Sequence, residues 1–269
     1  MGSRLDVRSR RGRPRRGGTG VNAAVTGSPN GYENLLAWWD ASDATTITES
    51  SGAVSEWADK SGNGYDLDGT GHTPTTGTRT QNGLNVIDFD SASSDYFDGG
   101  DVLDLALNDR SVFAVYKMDT SEGGSGGQGV IVKSLAGAGD GRWGLTSLVS
   151  NTTMIYVDGG DRNASYTDGA TDVRVMTGQI DRTNEVVSLR KDGSAVGTDA
   201  TSWTDSDTNY NTAHSLLVGA YPDGTGTAPL AGYYLNGFVA ELIVFEDIKT
   251  GTEIDEIETY LADKWGITI

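Results

Sequence analysis

The stretch that most constrains the fold lies near the C-terminus, where a strand pattern is followed by a helical one. Residues 235–245 are rich in apolar and aromatic side chains, with Glu241 among them, and predict a half-buried strand. An apolar stripe at helical spacing follows, made of Ile254, Ile257, Leu261 and Trp265. Because a short helix with such a stripe is stable only against a folded core, the preceding residues must supply that core.

The limits of this helix are also predicted from the sequence. Thr252 offers a hydroxyl N-cap, and Asp255 stands three positions later, in a pattern close to a capping box. Gly266 is a suitable C-cap. We therefore predict one helix over residues 252–265.

The rest of the chain predicts strands. The 269 residues include 38 Gly but only five Pro, which suits short strands joined by tight turns. Strand patterns occur at residues 36–39, 84–89, 111–118, 130–135 and 214–220, and hairpin patterns at 141–160 and 172–198. The predicted core tryptophans are Trp38, Trp39, Trp57 and Trp265. We predict an all-β domain over residues 32–269, a two-sheet antiparallel jelly-roll sandwich with one short C-terminal helix.

Residues 1–31 form a separate basic arm in the sequence. Its seven arginines are Arg4, Arg8, Arg10, Arg11, Arg13, Arg15 and Arg16. Asp6 is the one acid among them, so the arm carries about +6 and the remainder of the −18 chain about −24. With almost nothing to bury, the arm is expected to be extended and disordered in isolation. The chain has no cysteine, no apolar run long enough to span a membrane, and no secretory signal after Met1.

Four motifs carry a family resemblance: LLAWWDASDA (35–44), VSEWADKSGNGYDL (54–67), NGLNVIDFDSASSDYFDG (82–99), and NGFVAELIVFED followed by IETYLADKWGI (236–247 and 257–267). Over residues 32–268 the chain resembles the laminin-G-like jelly rolls of the concanavalin A-like lectin/glucanase superfamily, of the kind found in phage virion proteins. The resemblance implies the fold, whereas this fold hosts lectins, enzymes, adhesion modules and virion proteins alike. It implies at most one calcium ion, held by loop carboxylates and carbonyls, which the sequence does not place.

The segment Glu253-x-Asp255-x-x-Glu258 matches the nucleophile and acid/base motif of laminarinase-type glucanases in that superfamily. Retaining hydrolysis needs two carboxyl groups about 5–5.5 Å apart. On a helix, Glu253 and Asp255 lie about 200° apart around the axis, so the three side chains diverge. The sequence therefore favours an acidic helix N-terminus, which suits the helix dipole, and a non-enzymatic protein.

Exposed aromatic side chains near Asp or Asn are the candidates for glycan binding. The candidate residues are Tyr166, Trp203, Asn209, Tyr210, Tyr221 and Asp223. Such aromatics can equally cap the sandwich edge or contact another subunit. The two histidines, His72 and His214, are interpreted as ordinary turn or strand-edge residues.

Three functions stay open at this point. The first is a virion structural protein, in the capsid or the tail, anchored to another virion protein by its arm and displaying a lectin-like domain. The second is a free carbohydrate-binding or adhesion module, and the third is a glycan hydrolase. An acidic body disfavours nucleic acid, no membrane partner is expected, and self-association is compatible with the sequence.

Overall fold

The computed structural model describes residues 26–106, 108–119, 127–135, 142–148, 152–157, 162–167, 171–201 and 212–269. It confirms an all-β sandwich with one C-terminal helix, and every strand pair in the described residues is antiparallel. The strands are β1 (Leu35–Asp40), β2 (Ile47–Ser50), β3 (Ala53–Trp57), β4 (Leu67–Asp68), β5 (Thr75–Gln81), β6 (Leu84–Phe89), β7 (Phe97–Asp98), β8 (Arg110–Met118), β9 (Gln128–Lys133), β10 (Trp143–Leu148), β11 (Thr152–Val157), β12 (Arg162–Thr167), β13 (Arg174–Asp181), β14 (Val186–Lys191), β15 (Ser194–Asp199), β16 (Leu216–Val218), β17 (Ala220–Pro222), β18 (Pro229–Tyr234) and β19 (Gly237–Phe245). The helix α1 is Gly251–Trp265, and short 3-10 turns occur at Pro29–Gly31 and Ala44–Thr46.

The strands form two layers. The first sheet has the order β1-β19-β8-β13-β14-β15. The second has the order β12-β11-β10-β9-β16-β7-β4-β3-β2. Strands β5 and β6 join the two layers at one side, because β6 pairs with β19 and β5 pairs with β3. The β17–β18 hairpin forms a separate two-stranded sheet.

Large aromatic side chains fill the space between the layers. Trp39, Trp57 and Trp143 are fully buried there, together with Phe89 and Phe97. Because side chains alternate between the two faces of a strand, every second residue points into this core. Trp39 and Trp57 thus occupy the core position that the sequence predicts.

Strand β19 differs from its prediction. The sequence predicts a half-buried strand, but all nine of its residues are buried. Val239 and Leu242 face the space between the sheets, whereas Phe238, Ala240 and Ile243 face the helix. The prediction was wrong on burial because α1 covers the second face of this strand, so neither face meets water.

Helix α1 lies on the outer face of the first sheet. Its predicted stripe is buried there, with Trp265 fully inaccessible, which confirms the helical interpretation. The N-cap is Thr250 rather than the predicted Thr252: Thr250 N donates to Glu253 Oε2 at 2.8 Å, and Glu253 N donates back to Thr250 Oγ1 at 3.4 Å. Gly266 is confirmed as the C-cap, with a left-handed φ of 67°.

One buried carboxylate of the sheet binds the helix. Glu241 accepts hydrogen bonds from Trp38 Nε1 and Trp265 Nε1, each at 2.7 Å, and from Tyr260 OH at 3.1 Å. Lys264 Nζ completes the set at 2.7 Å. Burial raises the pKa of Glu241, and the nearby Lys264 ammonium opposes that shift. Because every contact is charged or directional, α1 is held in one register on the sheet.

One buried carboxylate of the helix binds the sheet in return. Glu258 is fully buried and accepts from Thr177 Oγ1 at 2.6 Å and from Arg190 Nη2 at 2.9 Å. Arg190 Nη2 also lies 2.8 Å from Asp255, whose side chain is 68% exposed. Within the described part of the chain, no helix has both the length and the apolar character needed to cross a membrane.

Candidate functional site

A row of carboxylates crosses the outer face of the second sheet. Glu56 on β3 stands opposite Asp68 on β4, and Asp68 stands opposite Asp98 on β7. Directly opposed residues of antiparallel strands lie on the same face, with Cβ atoms about 4.5–5.5 Å apart. The adjoining Leu67 and Phe97 are buried in the sandwich core, so the three acids point the other way, outward.

These acids lack a cationic partner. In the ranges that the structure describes, no lysine or arginine makes an ion pair with Glu56, Asp68 or Asp98. Asp68 Oδ1 accepts from Thr70 N at 2.8 Å, and Asp98 Oδ1 accepts from Gly100 N at 2.7 Å. The hydrogen bonds from Thr70 hold the pKa of Asp68 below its ordinary value. Like charges directly opposite each other repel across a sheet. At Asp68 the hydrogen bonds from Thr70 outweigh this repulsion, because the lowered pKa means that its ionised form is favoured in the folded protein.

Aromatic rings adjoin the row. His72 stacks on Tyr96, with ring centroids 3.9 Å apart and planes at 33°, and the Tyr234 ring lies 6.2 Å from Tyr96. All three side chains are partly exposed. Burial raises the pKa of Tyr96, and the carboxylates of Asp98 and Asp68 raise it further, so the phenol stays protonated and can donate a hydrogen bond.

The β17–β18 hairpin holds Tyr234 in place. It folds back over the outer face of the second sheet, where Ser215 N donates to Gly226 O at 2.8 Å. At Gly129 on β9 there is no room for a side chain, because a Cβ would lie 2.0 Å from Ala220 O. Val132 lies under this cover and is fully buried.

We call this surface the acidic–aromatic platform, defined by Glu56, Asp68, His72, Tyr96, Asp98 and Tyr234. A cleft of about 210 Å³ opens beside its acidic end, and its lining adds the polar side chains of Thr48, Ser55, Asp66 and Thr70. The arrangement offers free carboxylate oxygens and hydroxyls next to aromatic rings. Such a surface can accept hydrogen bonds from a polyhydroxylated ligand while a ring contacts its C–H groups.

The structure divides the candidate glycan residues predicted from sequence. Tyr221 lies on the β17–β18 hairpin, its ring 6.3 Å from Tyr233, next in sequence to the platform residue Tyr234. Asp223 holds the hairpin turn by accepting from Thr225 N at 2.8 Å. Tyr166 lies apart on β12, where Lys191 Nζ is 5.7 Å from its ring. The remaining three, Trp203, Asn209 and Tyr210, lie outside the described residues, as do the arginines of the arm.

Sequence reasoning missed most of the platform. His72 was interpreted as an ordinary turn or strand-edge residue. The available signal was weak: Asp68 and Asp98 each follow a residue of core type, Leu67 and Phe97, at the end of a short strand. Local sequence patterns, however, do not predict which strands become neighbours in the sheet.

The glucanase-like motif does not assemble a site. Glu253 is used in the N-cap, Asp255 lies exposed beside Arg190, and Glu258 is buried against Thr177. The residues that the structure describes contain no group of three or more His, Asp or Glu side chains placed to hold a metal ion. The platform carboxylates lie in a row and do not converge on one point.

Comparison with protein-family models and with curated protein sequences finds no match. Solved structures do share the fold. Domain 4 of AbnA, a GH43 extracellular arabinanase from Geobacillus stearothermophilus, in complex with arabinotriose, is 13% identical, with a TM-score of 0.56 over 84% of this chain and 98% of that one. The binding domain of Paraclostridial Mosquitocidal Protein 1 is 11% identical, with a TM-score of 0.56 over 87% of this chain and 55% of that one. A Ruminococcus gnavus IT-sialidase CBM40 is 15% identical, with a TM-score of 0.44 over 57% of this chain and 84% of that one. At these identities the likeness to the arabinanase domain and to the mosquitocidal binding domain establishes the β-sandwich fold alone.

Proposed function

We propose that the chain is a carbohydrate-binding domain and that the acidic–aromatic platform is its binding surface. The observation that carries the proposal is the row of un-neutralised carboxylates at Glu56, Asp68 and Asp98, directly beside the exposed rings of Tyr96 and Tyr234. Carboxylate oxygens accept hydrogen bonds from sugar hydroxyls, and charge-assisted hydrogen bonds are stronger than neutral ones. Donors that bind along the row also reduce the repulsion between its neighbouring carboxylates.

The shared fold supports this proposal by analogy. The arabinanase domain with the same architecture is seen in complex with arabinotriose, a neutral oligosaccharide. The mosquitocidal relative is likewise a binding domain. Fold-level analogy raises the expectation of glycan binding, while the platform residues supply the physical reason for it here.

The charge of the platform points to a ligand class. It presents three carboxylates and no lysine or arginine among its defining residues, so its charge is negative and repels anions. We therefore assign it neutral or amino sugars and exclude sugars that carry a carboxylate, such as sialic acids.

Glycan binding is tested by calorimetry against neutral, amino and sialylated oligosaccharides. Binding of a neutral or amino glycan should fall at least about tenfold in Asp68→Asn/Asp98→Asn and in Tyr96→Ala, since each removes a hydrogen bond to charge or a ring contact. Tyr166→Ala is the matched aromatic control on β12 and should bind normally. Loss of binding in Tyr166→Ala alone, or preferred binding of sialylated glycans, would place the site elsewhere.

We further propose that the domain binds glycans without cleaving them. The carboxylates of the glucanase-like motif are engaged in separate contacts, as described above. We expect no release of reducing ends from laminarin or lichenan at neutral pH. Turnover that disappears in Glu253→Gln would overturn this proposal.

The proposed setting is a virion, in which the arm anchors the domain to a capsid or tail protein. It rests on the sequence resemblance and on the basic arm, which lies outside the described residues. Deleting residues 2–18 should leave a folded domain that no longer joins particles lacking the protein, as measured by sedimentation. Full occupancy by the truncated chain would remove this proposal and leave the free binding module.

A further inference from the structure

An acidic cleft runs along the exposed side of helix α1, at the point where the described chain begins. Its volume is about 490 Å³, and it is lined by Thr26, Thr252, Asp255, Glu256, Thr259 and Asp263. It lies on the outer side of the first sheet, opposite the acidic–aromatic platform. No function assigned above uses it.

The start of the described chain is fixed against this helix. Gly27 has a left-handed φ of 86°, and a Cβ there would lie 2.1 Å from Glu256 O and 2.8 Å from Tyr260 Cβ, so only glycine permits the contact. Tyr32 OH donates to Glu256 Oε2 at 2.7 Å, which secures the same segment a few residues later. Thr26, the first described residue, itself lines the cleft.

The cleft and the N-terminal arm carry opposite charges. Asp255 and Asp263 are exposed on the cleft, and Asp263 makes no ion pair within the described residues. Arg190 contacts Asp255 from the sheet side, but its guanidinium is shared with the buried Glu258. The preceding segment carries the arginine cluster of the arm, whose last members are Arg13, Arg15 and Arg16. Opposite charges at close range attract, most strongly at low ionic strength.

The linker between the arginines and the cleft is long enough to let them meet and short enough to favour binding. Nine residues, 17–25, separate Arg16 from Thr26, and an extended chain of that length spans up to about 30 Å. The 15 residues of α1 span about 22 Å. Arg16 can thus reach any carboxylate along the cleft, and a linker this short gives an effective concentration in the millimolar range.

We propose that the arginine segment 10–16 of the same chain docks into this acidic cleft. In this arrangement the acids of α1 bind the arginines of the same chain. Any other anionic partner of the arginines must first displace them from the cleft. The interaction is independent of glycan binding, because the platform lies on the opposite side of the sandwich.

Arginine-specific proteolysis of the full chain tests the contact. Trypsin should cleave after Arg10, Arg11, Arg15 and Arg16 about fivefold faster in Thr259→Lys/Asp263→Lys than in the wild type, because one substitution adds a positive charge to the cleft and the other reverses a negative one. The matched control is Glu49→Lys/Ser50→Lys on β2, which makes the same change of net charge at exposed positions outside both the cleft and the platform and should leave the rate unchanged. Raising salt to 0.5 M should bring the wild type to the rate of the cleft variant. Equal rates in both variants, or a rate insensitive to salt, would overturn the proposal.

A distance measurement keeps the test independent of those variants. The chain has no cysteine, so Gly12→Cys/Thr252→Cys can carry two spin labels without background. A short distance at low salt that lengthens at 0.5 M supports docking, whereas a broad long distance at both salts contradicts it. Diluting doubly labelled chain with unlabelled wild type separates the occupants: a short distance that survives is within one chain, and one that vanishes belongs to a second copy and refutes the proposal.

Discussion

The two outer faces of the sandwich treat the same chemical group in opposite ways. On the first sheet, Glu241 and Glu258 are fully buried, and each is satisfied by several donors and a cation. On the second sheet, Glu56 is exposed and Asp98 partly exposed, and no lysine or arginine of the described ranges pairs with either. A buried carboxylate must be neutralised to be tolerated, whereas an exposed one can stay unpaired and available. The first set therefore fastens the helix, and the second is free to meet a ligand.

Removing the largest side chain of the helix contact should have the greatest effect. Trp265→Ala should lower the free energy of unfolding by about 3–5 kcal/mol, because a buried indole is replaced by a cavity. It also removes the Nε1–H donor to Glu241. Chemical denaturation measures the change, and an unchanged midpoint would show that the helix is peripheral to stability.

Neutralising the buried acid of the helix should come next. Glu258→Gln keeps the size of the side chain but removes the buried charged acceptor of Arg190 and leaves only the exposed Asp255, so we expect a loss of about 1.5–3 kcal/mol. Glu256→Gln is the matched control, because Glu256 is only partly buried and accepts one hydrogen bond, from Tyr32. A loss as large in the control would mean that helix propensity, and not the buried contact, explains the effect.

Acid should weaken the ion pairs that Asp40 and Asp43, at and just after the end of β1, make with Lys60. Hydrogen bonds from Thr45 and Lys60 lower the pKa of Asp43 from 3.8 to about 2. The pKa of Asp40 is also lowered: burial alone would raise it, but Lys264 and Lys60 outweigh burial. A lowered pKa means that this stability is present above about pH 4 and is lost as the pH falls toward 2.

Thermal melts between pH 5 and pH 2 measure this loss. Asp43→Asn removes the titrating group, so its melting temperature should fall less steeply over that interval than that of the wild type. Parallel curves for the two proteins would contradict the assignment.

The smallest change is expected on the platform. Asp68→Asn/Asp98→Asn should change the free energy of unfolding by less than about 1 kcal/mol in either direction, because the lost like-charge repulsion across two strands offsets the weakened hydrogen bonds from Thr70 and Gly100. Glycan affinity should fall in the same protein. A marked loss of stability would instead show that these acids hold the sheet together.

The sequence predicted the elements whose signals are local. The stripe ending at Trp265 and the hairpins β10–β11 and β13–β14 follow from periodicity and turn residues within short windows. The N-cap was misplaced by two residues because Thr250 and Thr252 both precede an acid by three. Glu253 is a capping-box residue, whereas the shorter Asp255 is not, and this favours Thr250.

The platform could not be predicted in the same way. Glu56 and Asp98 stand in one row only because β4 lies between β3 and β7, and this strand order depends on long-range pairing. Tyr234 comes from a hairpin more than a hundred residues later in the chain. Burial of both faces of β19 was missed for a related reason, since a strand pattern does not tell whether a helix will cover it.

The position of β19 has a consequence for how the protein is made. This strand lies between β1 and β8, so that Trp38 faces Ile243 across some two hundred residues of chain. Strand β1 therefore leaves the ribosome long before its partner β19 has been synthesised. Until then, Trp38 and Trp39 stay exposed to solvent. Such distant pairing slows folding, and the sandwich can close only when the final strand and helix have been synthesised.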